Sequence, residues 1–393
     1  MQILPVSDRK SAAVFLHLPV QIYKDDASWI RPLDKDILDV FDPQKNKAFR
    51  FGKLSRWIVV DEHNLPLGRI AAFVNKKYKN KGDDVPVGGI GFFECINHQQ
   101  TANLLFDSAR HWLADNGMEA MDGPINFGER NNWWGLVTEG FHSPLYGMNY
   151  NPPYYKDLFE KYGFQPFYEQ LCMGMNPQEK IQDKILHKYL SIKQTPGYSC
   201  KPFKRKQIRS LAADFSEVYN SAWAGHDGMK TISKDQALIF FKKMQRVVDE
   251  KAICFAYYNE KPIGFFVNLP DLNQWFKYLK GKWNFLQKFY FLWLKKTKTN
   301  RKLTGIVFGV IPEFQGKGID SFMIGSVAEN IQNGQSAYTE YELQWIGDFN
   351  PKMLNLAKGL GNVNISRKLT TYRYLFDSSK PFKKHPIISE LRR

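Results

Sequence analysis

The chain has 393 residues, of which 43% are hydrophobic and 24% charged, an ordinary balance for a folded protein long enough for two cores. The N-terminal stretch MQILPVSDRK carries no apolar run of the kind that opens a signal peptide, so we expect a cytoplasmic protein. The net charge of +16 calls for an anionic partner or surface, and the four scattered cysteines show no spacing typical of a metal site, so we expect no metal.

Two stretches share one order of predicted elements, which indicates an internal duplication. The first predicts a hairpin, a strand, a helix, a strand and a helix, at residues 57–74, 87–96, 101–116, 118–121 and 153–162. The second repeats that order at residues 254–267, 305–311, 321–333, 338–346 and 351–359. Because strands alternate with helices, we expect an α/β or α+β fold with a mixed sheet in each half.

The boundary between the halves is predicted at a basic, amphipathic helix, residues 179–192, that is followed by Gln-Thr-Pro-Gly. A helix at 208–223 should open the second half. We therefore expect a first domain, a helical linker, a second domain and a tail at 1–178, 179–199, 200–379 and 380–393.

A basic and aromatic insert, residues 273–301, interrupts the second half. No acidic residue occurs between Asp271 and Glu313, whereas nine lysines and arginines do. Apolar residues at four-three-four-three spacing predict a helical stripe formed by Leu279, Trp283, Leu286, Tyr290 and Trp293. The stripe could contact an anionic membrane surface weakly, cap an apolar cleft, steer an anionic substrate or pack against its own domain.

The strongest chemical signal is the segment 304–324, in which an apolar strand runs through a turn with two glycines directly into a helix. Such a turn aims free backbone amides and the positive end of the helix dipole at one point. Glycine permits close approach because it has no Cβ, and Lys317 adds a positive charge. The segment predicts a pyrophosphate site, with a plain strand–helix connection as the alternative.

The residues Gly309-Val-Ile-Pro-Glu-Phe-Gln-Gly-Lys-Gly-Ile resemble the coenzyme A signature of GNAT acyltransferases. Gln315 and Gly318 match its first two fixed positions. Asp320 departs from the third, which is usually Gly or Ala, and an acidic side chain there is unfavourable beside phosphate unless it points away.

The resemblance covers about residues 201–376 and, more weakly, the N-terminal half. It implies two tandem GNAT-like domains, each with a mixed, mostly antiparallel sheet flanked by helices. It also implies acetyl-CoA or another acyl-CoA as cofactor, bound by Val310, Ile311, Gln315, Gly316, Lys317, Gly318, Ile319, Asp320, Ser321 and Asn350.

The same resemblance implies direct attack of a primary amine on the thioester, with a backbone amide of strand 308–311 holding the developing oxyanion. Glu340, Glu342 and Gln344 share one strand face, and Glu342 is the predicted base. Tyr372 and Tyr374 are the candidates for the acid. The alternative is that Glu340 and Glu342 pair with lysines.

The N-terminal half lacks the phosphate turn, so we expect it to bind no coenzyme A and to help form the acceptor pocket. Segments 122–135 and 150–155 are dense in Asn, Trp and Tyr, which commonly line ligand sites. The candidate substrate-binding residues are Asn126, Asn131, Trp133, Trp134, Tyr154 and Tyr155. A packed surface between domains is the alternative.

The resemblance therefore predicts a GNAT-type N-acetyltransferase that acts on a small metabolite, peptide or amino sugar and binds no nucleic acid. Two alternatives stay open. A Fem-type aminoacyl or peptidyl transferase using tRNA would suit the positive charge, and a non-catalytic GNAT-like protein would result if Asp320 prevents cofactor binding.

Overall fold

The computed structural model describes residues 1–223, 231–334 and 336–388, so the end of the predicted tail, 389–393, lies outside the described residues. Within the described ranges, fourteen strands form one sheet that has helices packed on it. Most neighbouring strands are antiparallel, and two pairs are parallel. The expected mixed, mostly antiparallel sheet flanked by helices is confirmed.

The N-terminal half begins with a short strand and two helices that the sequence analysis left unassigned. Its elements are β1 (Gln2–Pro5), α1 (Arg9–Ile22), α2 (Asp34–Phe41), β2 (Gly52–Val60), β3 (Pro66–Asn75), β4 (Val87–Cys95), α3 (Gln99–Asp115), β5 (Ala120–Gly123), β6 (Leu136–Glu139), α4 (Tyr155–Tyr162) and β7 (Gln165–Met175).

The C-terminal half repeats the series hairpin, strand, helix and strand. Its elements are α5 (Asp183–Lys193), β8 (Tyr198–Pro202), α6 (Ile208–Trp223), α7 (Lys234–Met244), β9 (Ile253–Tyr258), β10 (Lys261–Pro270), α8 (Asn273–Phe276), α9 (Phe285–Thr297), β11 (Lys302–Val310), α10 (Ile319–Asn333), β12 (Glu340–Leu343), β13 (Ile346–Gly347), α11 (Pro351–Lys358) and β14 (Asn364–Leu375). The single strand predicted at 338–346 is divided into β12 and β13.

The two halves exchange strands at the centre of the sheet. The strand order is β1-β2-β3-β4-β5-β14-β7-β12-β11-β10-β9-β8, with β6 paired to β14 and β13 to β7, so β14 of the second half lies beside β5 of the first half. Tyr372 of β14 is paired with Gly123 of β5, and Tyr341 of β12 with Met175 of β7. Each half is therefore completed by a strand from the other, and the predicted linker at 179–199 follows the strand that the second half borrows.

Apolar helix faces build the core on either side of this sheet. On α3, Ala102, Leu105, Phe106, Ala109 and Leu113 recur at helical spacing and are fully buried. Phe106 stacks on Phe93 of β4 with ring centroids 4.8 Å apart. Burying one such ring contributes about 1.5–3 kcal/mol, so these contacts hold β4 firmly against α3.

Two parallel strand pairs diverge and leave a wedge in each half. The pairing of β4 with β5 ends at Gly89 and Asp122, and the pairing of β11 with β12 ends at Gly305 and Leu343. β4 and β11 run antiparallel to each other, and four strands separate them in the sheet. Both wedges lie beside residues predicted to be functional.

The stripe predicted across the basic insert does not form one continuous helix. α8 ends at Phe276 and α9 begins at Phe285, and between them Gly281 adopts a φ of +81°. Phe291 and Leu294 face the protein, while three members of the predicted stripe are exposed: Leu286, Tyr290 and Trp293. Gly281, a residue that weakens a continuous helix, divides the predicted stripe because its left-handed turn resets the helical phase.

Candidate functional site

The connection between β11 and α10 is the turn that the sequence predicts as a phosphate site. A single 3₁₀ turn, Pro312–Phe314, follows β11 and leads through two glycines to α10. In the described part of the chain, four amides of this turn have no hydrogen-bond acceptor: those of Gly316, Gly318, Ile319 and Asp320. Unpartnered amides at a helix N-terminus form a site that favours an anion.

Both glycines of the turn need the left-handed conformation. Gly316 has a φ of +74° and Gly318 a φ of +84°. A Cβ added to Gly316 would meet no atom within 4 Å, whereas one added to Gly318 would lie 2.3 Å from Cε of Lys188. The backbone of the turn is thus open at Gly316 and covered at Gly318 by a flexible side chain.

Two lysines lie at this turn. Lys188 projects from α5 and packs its aliphatic chain against Gly318, and Lys317 places its ammonium nitrogen 5.0 Å from the ring centroid of Phe314. Sequence reasoning identified Lys317 and missed Lys188, because Lys188 lies far from the turn in sequence. The packing of α5 on α10 is what brings it there.

Side chains already use two of the groups near the turn. Nε2 of Gln315 donates a hydrogen bond of 3.0 Å to the carbonyl oxygen of Val310, which ties the turn to the end of β11. Oδ1 of Asp320 accepts the amide of Ser321 at 2.8 Å. The departure from the family pattern at Asp320 therefore takes one predicted donor, Ser321, and leaves the other four amides free.

The wedge between β11 and β12 begins just before the turn. The amide of Ile311 donates to the carbonyl oxygen of Ile263 at 3.0 Å, towards β10. Because successive amides of a strand point to opposite sides, the amide of Val310 points away from β10 and into the wedge. Val310 thus presents a donor there, and Ile311 does not. Asn350 instead caps α11 by accepting the amide of Met353.

Glu342, the predicted base, lies in a buried cluster of charged groups. Its side chain is 2% exposed, and Oε2 lies 2.5 Å from Nζ of Lys302 while Oε1 lies 3.5 Å from Nε of Arg367. Burial opposes ionisation, but His142, whose Nε2 lies 3.5 Å from Oε2, and the charges of Lys302 and Arg367 hold the pKa of Glu342 below its ordinary value. A carboxylate held in this way accepts a proton poorly.

Tyr372 and Tyr374, the predicted acids, lie with the core of the N-terminal half rather than with Glu342. The hydroxyl of Tyr372 donates to Oε1 of Glu160 at 2.9 Å, and Tyr374 packs on Tyr162. Burial raises the pKa of Tyr372 well above its ordinary value, which makes it a weaker acid. The strand exchange explains the separation, because β14 places these residues beside β5.

The wedge of the N-terminal half holds a buried carboxyl that the sequence analysis missed. Oε2 of Glu94 accepts hydrogen bonds from the hydroxyls of Tyr23 at 2.7 Å and Tyr155 at 2.9 Å. Oε1 lies 3.4 Å from Nη2 of Arg69. Burial raises the pKa of Glu94 above its ordinary value, although Arg69 and the two tyrosines oppose the shift. Glu94 is therefore a better proton acceptor than an ordinary exposed carboxylate.

Glu94 lines a cavity of the N-terminal half that is partly open to solvent. The other polar groups of its wall include Arg69 and Asn149. Apolar side chains from α1, α2, β4, β6 and the loops beside them form much of the rest: Leu16, Val20, Ile30, Ile37, Phe92, Trp133, Leu136 and Met148. An apolar cavity with one buried acidic group suits an amphiphilic ligand.

Two of the six predicted substrate residues, Trp133 and Tyr155, line this cavity. The other four lie outside its lining. The indole nitrogen of Trp134 donates to the hydroxyl of Tyr168 at 2.7 Å, and the hydroxyl of Tyr154 donates to the carbonyl oxygen of Cys95 at 2.8 Å. Asn126 is buried and Asn131 is exposed to solvent.

Trp345 of the C-terminal half packs against the N-terminal half near this cavity. It follows β12 and packs against two apolar clusters of the N-terminal half, one that contains Trp134 and one that contains Met148. Met148 also lines the cavity. Trp345, which follows β12 of the second half, therefore packs against a cluster that includes Met148 of the cavity wall.

One signal in the sequence could have identified the buried carboxyl. Glu94 is the single acidic residue in the otherwise apolar and glycine-rich strand Val-Gly-Gly-Ile-Gly-Phe-Phe-Glu-Cys95. Its partners Tyr23 and Arg69 carry no local signal, because they come from α1's end and from β3 and meet Glu94 only in the folded protein.

The described residues contain no group of three or more His, Cys, Asp or Glu side chains arranged to hold a metal ion. The four cysteines are free thiols, three of them buried. No helix in the described ranges has the length and apolar character needed to cross a membrane.

Two known proteins are similar to this chain in sequence, and solved structures are similar to it in fold. No family model matches the chain. A bacterial ceramide synthase of Caulobacter vibrioides (strain NA1000 / CB15N) is 22% identical over 378 residues, which cover 95% of this chain and 96% of the relative. Protein YghO of Escherichia coli (strain K12) is 23% identical over 359 residues, or 90% of each chain.

Two solved structures share the architecture. One is a tandem GNAT protein from the clavulanic acid biosynthesis pathway, with a TM-score of 0.52, 10% identity and coverage of 96% of this chain and 99% of that one. The other is a fungal multi-domain β-N-acetylglucosaminidase with a GCN5-related glucosamine N-acetyltransferase region, with a TM-score of 0.52 and 13% identity. The match covers 95% of this chain, which spans 38% of that longer protein.

Proposed function

Since the chain has a tandem GNAT-like fold, we propose that it is an acyltransferase that transfers an acyl group from coenzyme A to an amine. The observation that carries this proposal is the turn between β11 and α10, with four unpartnered amides at the start of a helix and two lysines beside it. A diphosphate carries the complementary charge and fits such a turn.

The residues of the turn have distinct tasks in this proposal. The amides of Gly316, Gly318, Ile319 and Asp320 would hold the pyrophosphate, with Lys188 and Lys317 balancing its charge. Bound acyl-CoA supplies an activated acyl carbonyl. The amide of Val310 points into the wedge, where it would donate a hydrogen bond to the carbonyl oxygen, and losing one such donor lowers turnover by about 10²–10³-fold.

For the acceptor, we propose the amino group of a long-chain amphiphile. A ceramide is the amide of a fatty acid with a long-chain base, so the name of the Caulobacter relative supports a lipid amine. The N-terminal cavity supports the same class, because its apolar walls would bury a hydrocarbon chain while Glu94 would attract an ammonium group.

Glu94 is then the residue that binds the ammonium group and takes up its proton in the N-terminal cavity. Since four strands separate β4 from β11, the neutral amine would leave Glu94 before it attacks the thioester held at Val310. Tyr23 and Tyr155 keep its carboxyl in place, and Arg69 lies at its other oxygen. We propose Glu94 for this role instead of Glu342, because the ion pairs of Glu342 make it the weaker base.

Calorimetric titration with acetyl-CoA and with longer acyl-CoAs tests the donor site. The unmodified protein should bind at micromolar concentrations, and Gly318→Glu should abolish binding because it adds bulk and negative charge where the amides converge. Gln100→Glu, in the first turn of α3, is the matched control and should leave the affinity unchanged. Failure of the unmodified protein to bind any acyl-CoA would end the proposal.

Turnover with a long-chain amine tests whether the two sites serve one reaction. Glu94→Gln should lower kcat by about 10²–10⁴-fold and leave the affinity for acyl-CoA unchanged. Gly318→Glu should also lower turnover. A loss in only one of the two variants would show that the reaction depends on that half alone and would refute a shared reaction centre.

A further inference from the structure

We propose that the exposed face of α9 binds the surface of an anionic lipid bilayer. This face, called the α9 patch, consists of Phe285, Leu286, Phe289, Tyr290, Leu292 and Trp293, whose exposed fractions range from 39% to 72%. The proposed acyl transfer gives these side chains no role that would explain their exposure to solvent. Six large apolar side chains grouped on one exposed helix mark an interaction site.

The α9 patch is the outer face of a helix that is firmly held. Its opposite face buries Phe291 and Leu294 in a cluster with Leu33, Trp275 and Phe276. Asn284 caps the helix by accepting the amide of Gln287. Since successive residues turn by about 100°, the six patch residues occupy one continuous arc directed away from this cluster.

The charges around the patch select the partner. No acidic residue occurs between Asp271 and Glu313, and six exposed lysines surround the helix: Lys277, Lys280, Lys282, Lys288, Lys296 and Lys298. An apolar face bordered by lysines, with Trp and Tyr among its members, complements the acyl and headgroup layers of an anionic membrane. A second copy of this chain would have to place the same lysines against one another.

The α9 patch lies on an insert that contacts the N-terminal cavity, which suggests why the protein would bind a membrane there. The amide of Asp34 donates to the carbonyl oxygen of Gly281 at 2.8 Å, so the insert that carries α9 is hydrogen-bonded to the first residue of α2. Asp34 and Arg31, which lies just before α2, line the N-terminal cavity. Docking of the α9 patch would therefore hold the cavity close to the bilayer, from which an amphiphile could enter. This consequence rests on the proposed function, whereas the docking itself does not.

Sedimentation with vesicles tests the docking without any substrate. The protein should sediment with vesicles of phosphatidylcholine and phosphatidylglycerol far more than with phosphatidylcholine alone, and added salt should release it. Trp293→Asp should weaken binding at least tenfold. Ile239→Asp on α7 is the matched control, because Ile239 is 54% exposed and Trp293 53% exposed.

Other results would overturn the inference. If Trp293→Asp and Ile239→Asp lost vesicle binding equally, or if the protein sedimented equally with neutral and anionic vesicles, the α9 patch would not be the site that binds an anionic bilayer. A lipid-free dimer that Trp293→Asp dissociates would assign the patch to a second copy. Trp293→Asp should keep the affinity for acyl-CoA, so failure of the donor-site proposal and failure of the membrane proposal give different results.

Discussion

The ammonium nitrogen of Lys302 lies 2.5 Å from Oε2 of Glu342, and both side chains are at least nine-tenths buried. Arg367, fully buried, lies on the other oxygen of the same carboxylate. One carboxylate thus lies against two buried cations, and its removal would leave Arg367 without this counter-charge and Lys302 with the exposed Glu340, 3.8 Å away. The pair is expected to act on stability rather than on catalysis.

Glu342→Gln should lower the free energy of unfolding by about 3–5 kcal/mol, because breaking a buried pair leaves an uncompensated charge. Urea unfolding measures this directly. Glu340→Gln on the same strand is the control: Glu340 also contacts Lys302, at 3.8 Å, but its side chain is 62% exposed, so the change should alter stability by no more than about 1 kcal/mol. Unchanged stability with strongly reduced turnover would restore Glu342 as the base.

Stability should depend on pH through Asp271. Burial raises the pKa of this carboxyl from 3.8 to about 6. Between those values the folded protein holds a proton that the unfolded chain has released, so the contribution of Asp271 to stability falls as the pH rises and stays low above pH 6. Asp271→Asn should therefore gain stability relative to the unmodified protein across this range, by at most about 3 kcal/mol.

Urea unfolding of both proteins near pH 4 and near pH 7.5 measures this difference. Asp25→Asn is the surface control, because its side chain is 87% exposed. A gap between the unmodified protein and Asp271→Asn that stays constant with pH would contradict the raised pKa.

Tyr23→Phe should move the pH dependence of the reaction. The hydrogen bond from Tyr23 lowers the pKa of Glu94, so its loss should raise that pKa further. Because Glu94 must be ionised to accept a proton, the acid limb of kcat/KM should shift to higher pH. Tyr154→Phe removes a hydroxyl that bonds Cys95 instead of Glu94 and should leave the limb in place. An unmoved limb in Tyr23→Phe would mean that Glu94 is not the titrating group.

Lys188→Ala should weaken acyl-CoA binding about fivefold, because an exposed cation beside a phosphate contributes about 1 kcal/mol. Lys184→Ala, one turn earlier on α5, removes the same charge without the contact to Gly318 and is the control. Calorimetry compares the two variants. An equal effect would reduce the role of Lys188 to general attraction.

Local patterns predicted much of the fold. Alternating apolar residues and turn residues predicted the two hairpins and the strands β4 and β11, and helical spacing predicted α3 and α10. In the structure these elements lie within a few residues of the predicted bounds. The fold class and the tandem resemblance are confirmed. β7 and β14 were not predicted, and their exchange between halves has no local signal because it depends on residues that are far apart in sequence.

In the candidate sites too, contiguous motifs could be predicted from the sequence, whereas groups assembled from distant residues could not. The phosphate turn is contiguous, so its free amides could be predicted from Gly316, Gly318 and the helix that follows. Glu94 acquires its properties from Tyr23, Tyr155 and Arg69, which three separate elements bring together. The cofactor and substrate roles assigned to individual residues stay predictions.

The strand exchange also sets the order in which the protein can mature during translation. β5 has no neighbour on its open side until β14, Asn364–Leu375, has left the ribosome. Synthesis of β14 therefore precedes closure of the first half, and a nascent chain stalled before residue 364 would expose an unpaired edge to chaperones or aggregation. For the same reason, splitting the gene between the halves should yield two fragments that fold only when they are produced together.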